Sequence, residues 1–263
     1  MFEQPQKLQP ATRWLIALLI TAGAGLIAPT PAQAQQVDGN NTISFDVDKK
    51  NEFYIAPRIR AIVVPDWLLG QFYEHHASHW DDGPNLAYGM EFVWRKVDAY
   101  EISTAIEYAD LSMPSKFWLE SGDPAQNADY TEVDLQLLSV VVSGYWYWDA
   151  QKWLSPYVGG GIGAGVILGD IVRYDAKAGS SCEASLGGND GFASNDCFGP
   201  DGEPQPDAID IASRQVEDSI PPVIPVINIT GGLRFNMGEH AIAKLEVGFY
   251  DYFFGGVSLG GQW

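Results

Sequence analysis

The residues of this chain most able to do chemistry stand together in Glu74-His75-His76-Ala77-Ser78-His79-Trp80-Asp81-Asp82. A helical turn would bring His75 and His79 onto one face beside a carboxylate, the beginning of a zinc site. No third protein ligand is fixed by the spacing, so the expectation is no metal and a solvated loop whose imidazoles and acids meet water. Glu74, Ser78 and His79 also supply the residue types of an orienting acid, a nucleophile and a base for acyl transfer. Residue types alone do not make a geometry, and no catalytic residue is assigned.

Acids are more numerous in residues 169–222, among them Asp170, Asp175, Glu183, Asp190, Asp196, Asp201, Glu203 and Asp207. Calcium or magnesium could bridge them to lipopolysaccharide, but no D-x-D-x-D-G ladder is present, and a solvated acidic loop is the default. The formal net charge of −19 excludes a phosphate-backbone footprint, so nucleic acid is not a partner.

Residues 154–168, LSPYVGGGIGAGVIL, show how such residues would be positioned. Leu154, Pro156, Val158, Ile162, Ala164, Val166 and Leu168 fall on one face, and Ser155, Tyr157, Gly159, Gly161, Gly163 and Gly165 on the other, a period of two. Gly159, Gly161 and Ala164 also match the dinucleotide fingerprint G-x-G-x-x-A. That motif needs a following helix, and residues 166–175 have no helical periodicity, so no cofactor is expected. As a membrane helix the run is shorter than the ~18 residues required, and each interior glycine costs about 1 kcal/mol relative to alanine. A strand with hydrocarbon on one side and a crowded interior on the other remains. The absent side chains are expected to leave room for long inward side chains of neighbouring strands.

The same alternation recurs in residues 53–64, 86–95, 100–109, 131–148, 223–236, 241–249 and 253–263, which makes eight strands. The faces opposite the apolar rows carry Arg58, Arg60, Glu91, Arg95, Glu101, Glu107, Arg234, Lys244 and Glu246. Parity alone fits a soluble sandwich as well as a membrane barrel. Aromatics at the strand ends favour the barrel: Trp94, Tyr100, Trp146, Trp148, Phe235 and Trp263 at one end, Tyr88, Tyr108, Phe249 and Phe253 at the other. Connections near 97, 150 and 237 are short, whereas 65–85, 112–130 and 169–222 are long and only the one near 251 is brief, as on the two sides of an outer-membrane barrel. The expected fold is an all-β, eight-stranded antiparallel transmembrane barrel. In residues 131–148 the alternation slips near Leu137 and Leu138, so a bulge or the membrane rim is expected there. Charges inside so narrow a barrel must pair, which predicts an internal ion network and no open pore; a gated ion or small-solute path is the alternative.

Lys7 and Arg13 precede an apolar run over residues 14–28, followed by Pro29, Pro31 and Ala32-Gln33-Ala34. This reads as a secretory signal peptide, residues 1–34, cut after Ala34. Residues 35–50 form a polar periplasmic lead-in, and 51–263 the barrel. In an exported protein Cys182 and Cys197 are expected to form a disulfide within the long extracellular loop.

With its leader, its Pro156-Tyr157-Val158-Gly159-Gly160-Gly161-Ile162-Gly163 strand and a last strand ending in Trp263, the chain resembles the small outer-membrane β-barrel family of the OmpA transmembrane-domain and OmpX type. The resemblance implies a place in the outer membrane of a Gram-negative bacterium, with outer-membrane lipid and lipopolysaccharide as surroundings. It also implies a C-terminal signal, Trp263 with Val257 and Leu259, read by the barrel-assembly machinery. The expected role is structural, adhesive or another surface interaction by a monomer. Some barrels of this kind modify lipid A acyl chains with residues near the rim, which makes lipid acyl chemistry around His75 and His79 the enzymatic alternative, although their characteristic motifs are not visible here.

Overall fold

The computed structural model describes residues 51–77, 83–96, 100–148, 150–187, 192, 194–200, 202–217, 220–238 and 240–262. Its strands, in chain order, are β1 (Asn51–Val63), β2 (Tyr73–His75), β3 (Leu86–Lys96), β4 (Tyr100–Asp110), β5 (Met113–Glu120), β6 (Asp129–Tyr147), β7 (Leu154–Asp175), β8 (Gln215–Val216), β9 (Val223–Asn236), β10 (Ala241–Tyr250) and β11 (Phe253–Gln262). Eight of them close on themselves. β1 pairs with both β3 and β11, and β6 with both β4 and β7, so β1-β3-β4-β6-β7-β9-β10-β11 is an antiparallel ring without an edge. Closure leaves the wall without an unpaired strand edge, as hydrocarbon demands.

Period two then sorts the side chains. Outward lie Phe53, Ile55 and Ile59 of β1, Tyr88, Met90 and Phe92 of β3, Ile102, Ile106 and Tyr108 of β4, and Leu138, Val140 and Val142 of β6, all exposed. An apolar surface this continuous would aggregate in water and is suited to lipid. Trp146, Trp148, Trp153 and Tyr100 ring the short-turn end, and Tyr88, Tyr108 and Phe253 the opposite end. From Tyr100 to Tyr108 a strand advances about 27 Å, or about 20 Å along the axis at the usual tilt, close to the height of an outer-membrane apolar band. No helix among the described residues is long and apolar enough to cross a membrane.

Three segments expected to be loops contain strands. β6 and β7 do not stop at the rim but stay paired without interruption from Tyr147↔Tyr157 to Asp129↔Asp175, so the strand read as ending at Leu168 runs on to Asp175. β5 joins this extension at Lys116↔Thr131 and Phe117↔Tyr130, β2 joins β5, and β8 joins β7. The result is a small sheet standing above the barrel. The slip at Leu137 and Leu138 therefore needs no bulge, because the register is continuous and only the surroundings change. Below, the outward face of β6 meets lipid through Leu138, Val140 and Val142; above, it carries Gln136, Asp134 and Glu132, and then Tyr130, buried in one cluster with Cys182, Cys197 and Phe198.

Glycines let neighbouring strands approach closely. A Cβ at Gly163 would meet the carbonyl oxygen of Val140 and lie 2.6 Å from Val141 Cγ2; one at Gly165 would lie 2.5 Å from Leu137 Cδ1. The glycines of β7 thus accommodate β6, their immediate neighbour, rather than the inward arginines. Room for those is made at Gly89, where a Cβ would lie 2.9 Å from Arg58 Nε, and at Gly256, 2.6 Å from Arg60 Cγ. Gly163→Leu should abolish the heat-dependent gel mobility of a folded barrel, whereas Val158→Leu on the outer face should keep it. The reverse outcome would mean that the two faces are exchanged.

Candidate functional site

The barrel interior holds one connected chain of ions. Its centre is Glu107 on β4, whose carboxylate lies 2.7 Å from Arg58 Nε and 3.2 Å from Arg60 Nη1, both on β1. From Arg58 the chain continues to Glu91 at 2.9 Å, from Glu91 to Lys244 Nζ at 3.2 Å, and from Lys244 to Glu101 at 2.8 Å. From Arg60 it continues to Glu246 at 2.7 Å. Register makes these meetings possible: Lys244 and Arg58 both sit opposite Ser258, whose short side chain leaves the space between them to the long cations. At the short-turn end Arg95 and Arg234 approach Glu52 at 3.5 and 3.6 Å.

Phenols and rings complete the lining. Tyr147, Tyr157 and Tyr252 donate to Glu101, Glu246 and Glu107 at 2.7, 3.3 and 2.7 Å. Lys244 Nζ lies 5.2 to 5.5 Å from the ring centres of Tyr54, Tyr145 and Tyr157, and the Arg60 guanidinium 3.9 Å from that of Phe254. Cation–π attraction of this kind is worth most where water is excluded. Among the described residues, five cations, Arg58, Arg60, Arg95, Arg234 and Lys244, stand against five carboxylates, Glu52, Glu91, Glu101, Glu107 and Glu246, so the formal charges of this set cancel. The nine charged residues read from parity are all turned inward and buried. Sequence reasoning missed Glu52, although it shares the parity of Tyr54 and Arg58. Tyr252 gave no signal at all, since it reaches Glu107 from a turn.

Toward the outer end the lining becomes apolar. Ile62, Ala87, Ala109, Leu137, Val141, Val226, Tyr250, Tyr252 and Phe254 pack together across the lumen, with Val64, Leu111, Ile167 and Ile224 against them. This apolar cluster lies between the ion chain and the outer end of the barrel, with the Tyr252 hydroxyl reaching back to Glu107.

Above this cluster stands the cap, which has its own core. Phe117, Leu119 and Tyr130 of the small sheet, with Ala128 just ahead of β6, pack against Cys182 and Leu186 of the short helix α1 (Ser181–Leu186), Cys197 and Ala208. Ser180 caps α1 by accepting from the Glu183 N–H, and Cys182 is bonded to Cys197. The His75 ring stacks on Phe192 at 3.8 Å, and His76 Nδ1 lies 2.9 Å from the Ala77 carbonyl oxygen. No cluster able to hold a metal occurs among the described residues. Ser78 and His79, like Ala34 and Trp263, lie outside the described residues; Val257 and Leu259 are exposed on the lipid-facing side.

One rim residue is strained. Asp251, in the turn joining β10 to β11, has φ 53° and accepts from the Ile227 N–H at 3.1 Å, while its second carboxylate oxygen is buried without a hydrogen-bond partner. Burial pushes its carboxyl up to about 6, only partly offset by the Ile227 hydrogen bond.

No protein-family model and no curated protein sequence matches the chain. Among solved structures, the N-terminal β-barrel domain of Pseudomonas aeruginosa OprF is similar over 81% of this chain and 97% of its own, at 12% identity and a TM-score of 0.34. Ail, the attachment invasion locus protein of Yersinia pestis, in complex with the heparin analogue sucrose octasulfate, is similar over 81% and 97%, at 10% identity and 0.36. Neisserial surface protein A is similar over 80% and 95%, at 11% and 0.34. The barrel described above rests on its own strand register, not on these likenesses.

Lys244→Met would leave Glu91 and Glu101 buried without their shared cation, and should cost about 3–5 kcal/mol in urea unfolding of the folded barrel. Adding Glu91→Gln and Glu101→Gln should restore most of it; no loss in the single variant would mean that the ions are not coupled. Asp251 carries a raised carboxyl, so the native state binds the extra proton between the unfolded and folded values, and stability should fall as pH rises from about 4 to about 6. Asp251→Asn keeps the acceptor and tolerates positive φ. It should be more stable than the parent by about 1 kcal/mol near pH 8, after allowance for solvent screening, and equal to it near pH 4.

Proposed function

We propose that this chain is a monomeric barrel of a Gram-negative outer membrane, that its lumen conducts nothing, and that its work is done by the cap, as a structural, adhesive or other surface-interaction element. Its surroundings on this reading are outer-membrane lipid and lipopolysaccharide, and its insertion depends on the barrel-assembly machinery through the outward face of β11 and Trp263.

The observation that carries the reading is the contrast between the two ends of β6 and β7. Within the belt they wall a lumen filled by paired ions and sealed by apolar side chains. Above it the same strands continue as the spine of a cross-linked domain with a core of its own. A chain that only needed to span the membrane would have no use for the second part. The cap is also where the surplus acid sits, in Asp123, Asp196, Glu203, Asp207 and Asp210 among others, which keeps it soluble beyond the headgroups.

Closing a loop of sequence separation 15 by the disulfide stabilises the cap by about 3 kcal/mol. Intact cells treated with a protease should therefore leave the oxidised cap whole and lose it by cleavage within residues 176–210 after mild reduction, or in a Cys182→Ser, Cys197→Ser variant. The protein should fractionate with the outer membrane and its barrel should keep heat-dependent mobility throughout. Recovery in the soluble fraction, or a cap that stays uncut on intact cells even when reduced, would overturn the reading.

A further inference from the structure

The small sheet of the cap has two faces, and the cap core takes up one of them, through Phe117, Leu119 and Tyr130. Residues directly opposite each other in an antiparallel pair share a face. On the other face the register sets Tyr73 opposite Glu120, Trp118 opposite Asp129, and Asp129 in turn opposite Asp175. A second row holds Lys116, Thr131 and Arg173, with Gln215 beyond Arg173. Asp129 and Thr131 have the parity of Leu137 and Ser139, which are buried in the lumen. This face therefore belongs to the lumen side of β6, above the apolar cluster, and not to the side that meets lipid lower down.

Its residue types are those that hold an organic cation. The Tyr73 and Trp118 rings meet at 4.9 Å and 83°, and the His76 ring lies 6.2 Å from that of Trp118. Aromatic walls set at right angles are what cages for ammonium groups are made of. Tyr73, Trp118 and Asp129 are partly exposed, and Glu120 and Asp175 are exposed. Among the described residues four carboxylates, Glu120, Asp129, Asp175 and Glu217, share the face with Lys116 and Arg173, and Arg173 is engaged by Glu217 at 3.6 Å. Burial pushes the Asp129 carboxyl up, and Asp175 and Glu120 add to this against the pull of Arg173. Separately, Trp118 Nε1 is buried without a hydrogen-bond acceptor.

Two features are thus left unanswered within the chain, surplus negative charge beside aromatic rings and a buried indole donor. We propose that this face receives a basic side chain, lysine or arginine, of a protein met at the cell surface, with Tyr73 and Trp118 against the cation, Asp129 and Glu120 as its counter-charges, and a main-chain carbonyl of the same segment accepting from Trp118 Nε1. The assignment rests on the reading of the cap as a surface-interaction element. Charge selects the occupant: a neutral sugar would leave the carboxylates unanswered, an anionic glycan would be repelled, and no cluster of ligands able to hold a metal occurs among the described residues.

The test uses the full-length, oxidised protein extracted from membranes, with fractionation and heat-dependent mobility read first. N-acetyl-hexalysine amide is titrated against it, followed by calorimetry and by the indole N–H resonance of Trp118. The same peptide acetylated on every side-chain amine, and a neutral hexasaccharide of glucose, serve as comparisons. The basic peptide should bind and move the Trp118 resonance, and neither comparison should. Asp129→Asn and Trp118→Leu should each weaken binding about tenfold, the change that about 1.4 kcal/mol produces. Glu203→Gln, which removes the same charge elsewhere in the cap, should leave it nearly unchanged. Equal weakening by Asp129→Asn and Glu203→Gln would make the attraction diffuse and overturn the site. Binding of the hexasaccharide but not of hexalysine assigns the face to a glycan and also overturns it, as does the absence of any peptide binding to folded, correctly located protein; these outcomes leave the outer-membrane reading standing. Recovery outside the outer membrane overturns that reading and, with it, the cell-surface partner. If Trp118→Leu does not fold, Tyr73→Leu takes its place and should weaken binding in the same way.

Discussion

An ion inside a narrow barrel wall surrounded by hydrocarbon has no solvent to answer its field, so it must be answered by another ion at hydrogen-bond distance. The lumen follows from that constraint. Glu107 holds two arginines, Lys244 holds two glutamates, and Glu52 draws in the two arginines of the short-turn end, so that the formal charges cancel. Such pairs are weak evidence of net stability, since desolvation of each ion costs several kcal/mol. What they fix is register. Sliding β1 by one residue against β3 or β11 would carry Arg58 and Arg60 into lipid, leave Glu107 and Glu246 without a cation and leave Glu91 with Lys244 alone.

The remaining architecture divides around this charged core. Toward the outside, Ile62, Leu137, Phe254 and their neighbours replace polar lining by packed hydrocarbon. Beyond them β6 and β7 keep pairing, so the rigid wall itself carries the cap rather than a flexible tether. A second apolar core then packs Leu186, Ala208 and the disulfide-bonded Cys182 and Cys197 against that spine. Strand pairing is thus continuous from the membrane belt into the cap.

Much of the barrel was legible because a two-residue period is a local signal and lipid sharpens it: Arg58 and Arg60 against Phe53, Ile55 and Ile59 leave only one way for β1 to face. Of the two readings of the slip at Leu137, a bulge or the rim, the continuous register leaves the rim: parity records a residue's neighbours, and the neighbours of β6 change from lipid to headgroup level to protein along a single uninterrupted strand. The cap was invisible for a related reason. Its strands are short, its partners are distant in sequence, and Phe117 and Tyr130 signal a core only once β5 is known to lie beside β6. Glycine proved the least transparent residue: the same letter relieves backbone crowding at Gly163, admits an arginine at Gly256 and leaves open space at Gly255.

The closed lumen is tested most directly by electrical recording of the folded, oxidised full-length barrel in a planar bilayer at neutral pH. A lumen occupied by paired ions beneath an apolar plug gives no steady conductance above that of the bare membrane at either polarity. A stable open level, reproducible from insertion to insertion and altered by Lys244→Met, would contradict it.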